Sequence, residues 1–107
     1  MSAFTLESLA RIIVERARAG GERSYTKQLL DEGPEKCAKK LGEEAMETAL
    51  AAVSGDKNAV VAESADLLYH LLVVLEARGV KLSEVYAELE RRTARSGIDE
   101  KDSRRRS

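Results

Sequence analysis

The chain has 107 residues, room for one domain and too few for two hydrophobic cores, since domains commonly run to roughly 100–200 residues. Its apolar share of 43% is ordinary for a globular protein, while charged residues at 35% beside three tyrosines and one phenylalanine point to long charged helical faces rather than a sandwich. A formal net charge of −1 leaves no whole-molecule basic field for nucleic acid or an anionic membrane, and a lone cysteine, Cys37, excludes an internal disulfide and a Cys-x-x-Cys metal pair.

Met1-Ser-Ala-Phe-Thr5 has no basic stretch followed by an apolar run, so no export signal is expected. Thr5 predicts the cap of a first helix in which Leu6, Leu9, Ile12, Ile13 and Ala17 recur at helical spacing, with Gly20-Gly21 ending it. Ser24 to Leu30 reads as a brief helix or turn before Gly33-Pro34, where glycine permits a reversal and proline suits a helix's first position. A long helix is expected from Pro34 to Gly55. Its one interruption is Gly42, which costs about 1 kcal/mol against alanine and suits close packing. Asp56 predicts the cap of a further helix running to Arg78, stopped by Gly79. Ser83 is expected to cap the last helix, with Val85, Tyr86 and Leu89 turned inward. A polar tail follows from about residue 96, where Arg104-Arg105-Arg106 reads as solvated, the alternative being an anion contact. No stretch alternates with a strand period, so the class is all-α, as a single domain over residues 1–107.

The longest apolar segment, Leu67 to Leu75, is half of what a bilayer span of about 18–20 residues requires. No membrane association is expected, and a reducing, cytoplasmic setting fits the single cysteine, which reads as inert. On the Asp56–Arg78 helix, at about 100° per residue, apolar side chains point every way: Leu68 and Leu72 on one side, Leu67, Leu71 and Val74 on another. Such a helix must be covered on several sides. A chain this small achieves that with a second copy, so a homodimer is expected.

Within the same helix Glu63, Asp66 and His70 fall within about 60° of one another, among apolar neighbours. A carboxylate in those surroundings stays ionised only with cations, donors or a metal beside it. The preceding helix offers Glu44 and Glu47, three apart and on one surface. Glu47 lies eight residues before Gly55 and Glu63 eight after it, so an antiparallel hairpin brings all four acids to similar heights. Four clustered acids call for a hard divalent cation, and all-oxygen ligation favours magnesium, manganese or calcium over zinc. Magnesium is the natural choice with phosphates, manganese its substitute.

Lys36 and Lys40, four apart, place a basic stripe beside the acidic one. Lys40, nearest the acids, is favoured as a phosphate contact; Lys36 and Lys39 are either phosphate contacts or exposed ion pairs. His70 is either a buried, hydrogen-bonded structural group or a substrate contact, and Tyr69 is equally ambiguous. Ser24, Tyr25 and Thr26 are either capping groups or phosphate donors.

The pattern Glu-Glu-x-x-Glu at 43–47 followed by Glu-x-x-Asp at 63–66 resembles the signature of the all-α nucleoside triphosphate pyrophosphohydrolases, the MazG-like superfamily. Around these acids, Pro34-Glu-Lys-Cys-Ala-Lys-Lys-Leu-Gly-Glu-Glu44 and Glu63-Ser-Ala-Asp-Leu-Leu-Tyr-His-Leu71 resemble the phosphoribosyl-ATP pyrophosphohydrolase family, as do Ser24-Tyr25-Thr26 and Ser96-Gly-Ile-Asp-Glu-Lys101. The resemblance covers nearly the whole chain. It implies a MazG-like helical bundle, its core completed by homodimerisation. It also implies magnesium-dependent hydrolysis of phosphoribosyl-ATP to phosphoribosyl-AMP and diphosphate, the second step of histidine biosynthesis. Carried onto matching positions, it implies Glu44, Glu47, Glu63 and Asp66 as magnesium ligands and Glu43 as a water-orienting base or outer-shell acid. Lys40 then stabilises the charge that accumulates on phosphate. Three rivals remain: a house-cleaning pyrophosphohydrolase acting on dUTP, dCTP or damaged nucleotides; a di-iron carboxylate bundle; and a non-enzymatic helical dimerisation module.

Overall fold

The computed structural model describes residues 3–18 and 24–94, which form five α-helices and no strand. The helices are α1 (Leu6–Arg18), α2 (Tyr25–Glu32), α3 (Pro34–Ser54), α4 (Lys57–Ala77) and α5 (Leu82–Thr93). The all-α expectation holds. Gly20-Gly21, the motif from Ser96 to Lys101 and Arg104 to Arg106 lie outside the described residues.

Most helix ends follow from single side chains. Thr5 Oγ1 accepts the Ser8 N–H at 3.1 Å, Ser24 Oγ accepts that of Lys27 at 3.1 Å and Asp56 Oδ1 that of Ala59 at 2.9 Å, each satisfying an otherwise orphaned first-turn donor. Gly33 adopts φ +100° ahead of Pro34, which opens α3 as its first residue. At the end of α4, Gly79 takes φ +69°; its N–H reaches the Glu76 carbonyl at 3.1 Å and the Val80 N–H that of Leu75 at 2.9 Å. This paired closure absorbs carbonyls that the helix end leaves free.

The start of α5 departs from expectation. Ser83 lies inside the first turn, and the cap is Lys81, whose N–H donates to Glu84 Oε2 at 2.8 Å. Glu84 reaches back three residues and so moves the start ahead of the serine. Nor do Tyr86 and Leu89 turn inward: both are exposed, Val85 is half-buried, and Leu82 alone of α5 packs against the core, at its edge. Amphipathic spacing marks an apolar face without supplying the surface that covers it. Gly42 corrects a second expectation, because no atom lies within 4 Å of where its Cβ would stand. It sits on the side of α3 turned away from the core residue Cys37, rotated about 140° from it, so the close packing expected there does not occur within the chain.

The core joins Ile13 of α1, Leu29 of α2, Cys37 of α3 and Leu72 and Val73 of α4, with Leu6, Leu9, Ala10 and Leu75 packed around them. The α3–α4 hairpin is the main contact of the fold. Its turn requires Gly55, since a Cβ there would stand 2.9 Å from the Ala51 carbonyl oxygen and 3.0 Å from the Ala59 Cβ. Outside this core the hairpin stays bare: Met46, Leu50 and Val53 share one outer face of α3, Val61 and Leu68 one of α4, and Val53 is 82% exposed. By length and composition α4 alone among the described helices is long and apolar enough to cross a membrane, and most of it is uncovered in the single chain.

Candidate functional site

The turn at Gly55 runs α3 and α4 side by side, and it brings together acids from both helices. Glu44, Glu63 and Asp66 each offer a carboxylate oxygen within 4.8 Å of the other two. Glu63 Oε1 is buried and has no hydrogen-bond partner. Burial pushes the Glu63 carboxyl above its ordinary value, and the charges of Glu47, Glu44 and Asp66 push it further in that order. Glu47 is exposed and stands outside the triplet, although its charge acts on Glu63 more strongly than either of the other two. Three carboxylates and a buried, unpartnered oxygen form a hard, all-oxygen donor set, so the residues present fit a magnesium-like cation.

Beside this triplet, Lys40 Nζ lies 3.2 Å from Glu43 Oε1. That hydrogen bond raises the lysine, as do Tyr25 and the charges of Glu43 and Glu44, so the ammonium is firmly held. Lys40 and Glu44 are about 40° apart around α3, whereas Lys36 is rotated about 80° and Lys39 about 140° from Glu44. Lys36 and Lys39 are both exposed, and neither makes an ion pair among the described residues. Lys36 thus flanks the site, and Lys39 points off it.

An aromatic wall closes the other end. His70 is 6% exposed and meets the rings of Tyr69 and Tyr25 edge-on at 5.0 and 6.1 Å, and the two tyrosines stack with centroids 6.3 Å apart and planes at 20°. Burial lowers the His70 pKa below its ordinary 6.5; Lys40 adds to this, while Glu44, Asp66 and Glu43 oppose it, and the imidazole is neutral at neutral pH. The structure buries His70 but gives its Nδ1 no partner, so the hydrogen-bonded half of the structural reading is not met at that atom. Tyr69 donates to or accepts from Thr26 Oγ1 at 2.5 Å, and burial raises its phenol.

The run Ser24-Tyr25-Thr26 divides. Ser24 caps α2, Thr26 is 1% exposed with its hydroxyl engaged by Tyr69, and Tyr25 remains 49% exposed beside Lys40. Cys37 is fully buried, donates to the Leu29 carbonyl at 3.3 Å and has its thiol raised by burial, which agrees with an inert cysteine. Sequence reasoning passed over Thr48. Its hydroxyl lies 2.7 Å from the Glu44 carbonyl oxygen and 3.0 Å from that of Glu63. The available signal was a threonine in a helix interior one turn after an acid, a place where the residue has little reason to be unless its hydroxyl finds a partner.

Comparison with known proteins gives the family of the chain as a whole. The family described as phosphoribosyl-ATP pyrophosphohydrolase matches residues 6–93. A phosphoribosyl-ATP pyrophosphatase of Azorhizobium caulinodans is 63% identical over 103 residues, covering 96% of this chain and 94% of its own. Phosphoribosyl-ATP pyrophosphatase 1 of Rhodopseudomonas palustris is 57% identical over 106 residues, with 99% of each chain covered. Its namesake from Bradyrhizobium diazoefficiens is 59% identical over 105 residues, covering 98% of this chain and 99% of its own.

Proposed function

The chain belongs to the phosphoribosyl-ATP pyrophosphohydrolase family, and from that membership we propose that the Glu44–Glu63–Asp66 cluster is its active centre and holds magnesium. The enzyme hydrolyses phosphoribosyl-ATP to phosphoribosyl-AMP and diphosphate, a step of histidine biosynthesis. One water is consumed and the linkage between the α and β phosphorus atoms is broken. The observation that carries the assignment of the centre is the buried, unpartnered oxygen of Glu63, whose carboxylate is clustered with that of Asp66 one turn on and that of Glu44 on the facing helix. Left without a cation, that oxygen would be a costly orphan.

Glu44, Glu63 and Asp66 hold the ion, and Glu47, one turn beyond Glu44, completes the set from the solvent side. Magnesium supplies charge neutralisation and polarises phosphate oxygens, with manganese able to substitute. Lys40 holds a phosphate oxygen as negative charge builds, its ammonium kept protonated and aimed by Glu43. Glu43 in turn is placed to orient the attacking water from the outer shell. Lys36 offers a second cation at the rim for the leaving diphosphate, while Lys39 is the least favoured of the three. Tyr25, stacked on Tyr69, presents the exposed aromatic surface for the nucleotide's base. His70 backs that wall from its buried side. Ser24 and Thr26 serve the substrate indirectly, by fixing α2 and Tyr69.

A second copy of the chain covers the bare faces of α3 and α4. Met46, Leu50, Val53, Val61 and Leu68 form the kind of apolar surface that a dimer buries and an isolated small domain does not display. On this reading the partners are a small nucleotide and another copy of the chain.

The test is a substrate panel. Purified protein with magnesium is incubated with phosphoribosyl-ATP, dUTP and dCTP, and diphosphate release is followed with and without chelator. Diphosphate from phosphoribosyl-ATP alone, abolished by chelator, is expected. Turnover confined to a deoxynucleotide would reject the substrate, and full activity in chelator would reject the metal centre.

A further inference from the structure

We propose that Thr48 is the positioning residue that sets the gap between the α3 and α4 carboxylates by tying the backbones of Glu44 and Glu63 to one hydroxyl. The proposal rests on reading the acidic triplet as a metal centre. A threonine inside a helix ordinarily bonds only the carbonyl four residues back, which here is that of Glu44, at 2.7 Å. The same oxygen also lies 3.0 Å from the carbonyl of Glu63, fifteen residues away on the facing helix, so its one proton is shared between the two carbonyls in a three-centre bond. Both carbonyls belong to members of the triplet. Among the described residues, no other side chain of α3 bonds to the backbone of α4.

The consequence is mechanical. Three carboxylates converging within 4.8 Å repel one another before a cation arrives, and that repulsion acts to splay the two helices. A hydroxyl shared between the helices one turn from Glu44 resists the splay at the height where it acts. It also fixes the relative rise of α3 and α4, so the acids converge without needing the cation to draw the helices together. Its neighbour on the same buried side, Ala51, is too small to do this by interlocking. The site is thereby arranged in advance, and less of the cation's binding energy goes into ordering it.

The experiment compares the wild-type chain with Thr48→Val, which keeps the side chain's volume but loses the hydroxyl, and with Thr48→Ser, which keeps the hydroxyl and loses the methyl. Manganese affinity is read from the free-ion electron paramagnetic resonance signal, helix content and melting from circular dichroism, and kcat and KM from diphosphate release. The valine variant should stay helical and bind manganese roughly tenfold more weakly, the low end for groups that orient metal ligands. Its kcat should fall while KM for the nucleotide moves little, and the serine variant should bind as the wild type does. If the valine variant binds manganese as tightly as wild type, or if serine is as impaired as valine, the proposal is overturned while the metal centre stands. If the wild type binds no manganese, the metal centre falls and Thr48's role with it. Should valine cost the helical signal, Thr48→Ala takes its place: binding about tenfold weaker than the serine variant supports the proposal, and equal binding overturns it.

Discussion

If the acidic cluster holds magnesium, replacing Glu63 by glutamine should change stability in opposite directions with and without the metal. Without a cation, the Glu63 carboxyl is raised first by burial and then by Glu47, Glu44 and Asp66. Its folded pKa therefore stands above its ordinary 4.5, so between those values the native chain holds a proton that the unfolded chain has released. Stability consequently falls as pH rises through that window, and the whole penalty is present above it. Glutamine carries no charge and can donate to Glu44 or Asp66, so the metal-free variant should melt higher than wild type at pH 8 and show less gain on acidification to pH 5. With magnesium the order reverses. An ion at about a hundred times its Kd stabilises the native state by about 2.7 kcal/mol, and at about 4–8 °C per kcal/mol for a domain of this size the wild type should gain about 10–20 °C. The variant should lose most of that gain and at least about a hundredfold in turnover. Thermal melts in chelator and in magnesium, at both pH values, read all of this. A variant that melts lower than wild type in chelator, or that gains as much from magnesium, refutes the reasoning.

Two further perturbations address the frame around the site. Gly33 holds φ +100° at the entry to α3, a region essentially closed to other residues, so Gly33→Ala should cost about 1–3 kcal/mol in urea unfolding; a variant as stable as wild type would mean the turn can relax. Leu50→Glu with Val53→Glu charges the bare face of α3, and light scattering after size exclusion should show a dimer become a smaller, less stable species. A wild-type chain that runs as a well-folded monomer at micromolar concentration removes the dimer.

What could be read in the sequence was what one residue does to its own neighbours. Thr5, Ser24, Asp56, Gly33-Pro34 and Gly79 act within four residues of themselves, and each stands where local chemistry puts it. The hairpin turn at Gly55 extends that reach to the facing helix and brings Glu44, Glu63 and Asp66 together, although Glu47, level with Glu63 by sequence count, stands outside the triplet. The misses begin where a second element decides. The start of α5 is the exception, a local miss in which Glu84, reaching back to the Lys81 N–H, sets the helix start ahead of Ser83. Thr26 looks like a free hydroxyl until α4 brings Tyr69 against it, forty-three residues away. Thr48 carries no motif at all, and its partner is a backbone oxygen that only the helix pairing defines. Tyr86 and Leu89 show that an apolar face is legible well before its cover is.

The position of the acids on α4 links these levels. Glu63, Asp66 and His70 face α3 and α2 on a helix whose remaining surface is mostly Leu, Val and Ala, so the residues that destabilise the empty site share a rod with those that must be buried. Within the single chain only His70, Leu72 and Val73 of that helix are buried. The proposed function offers two sources of added stability from outside the chain: a cation among the carboxylates and a second copy on the bare faces. If both bind the folded hairpin and not the unfolded one, each favours the other by mass action even though they touch opposite sides of α4. Magnesium should therefore lower the concentration at which the dimer dissociates, and the Leu50/Val53 double substitution should weaken magnesium binding from the far side of the helix.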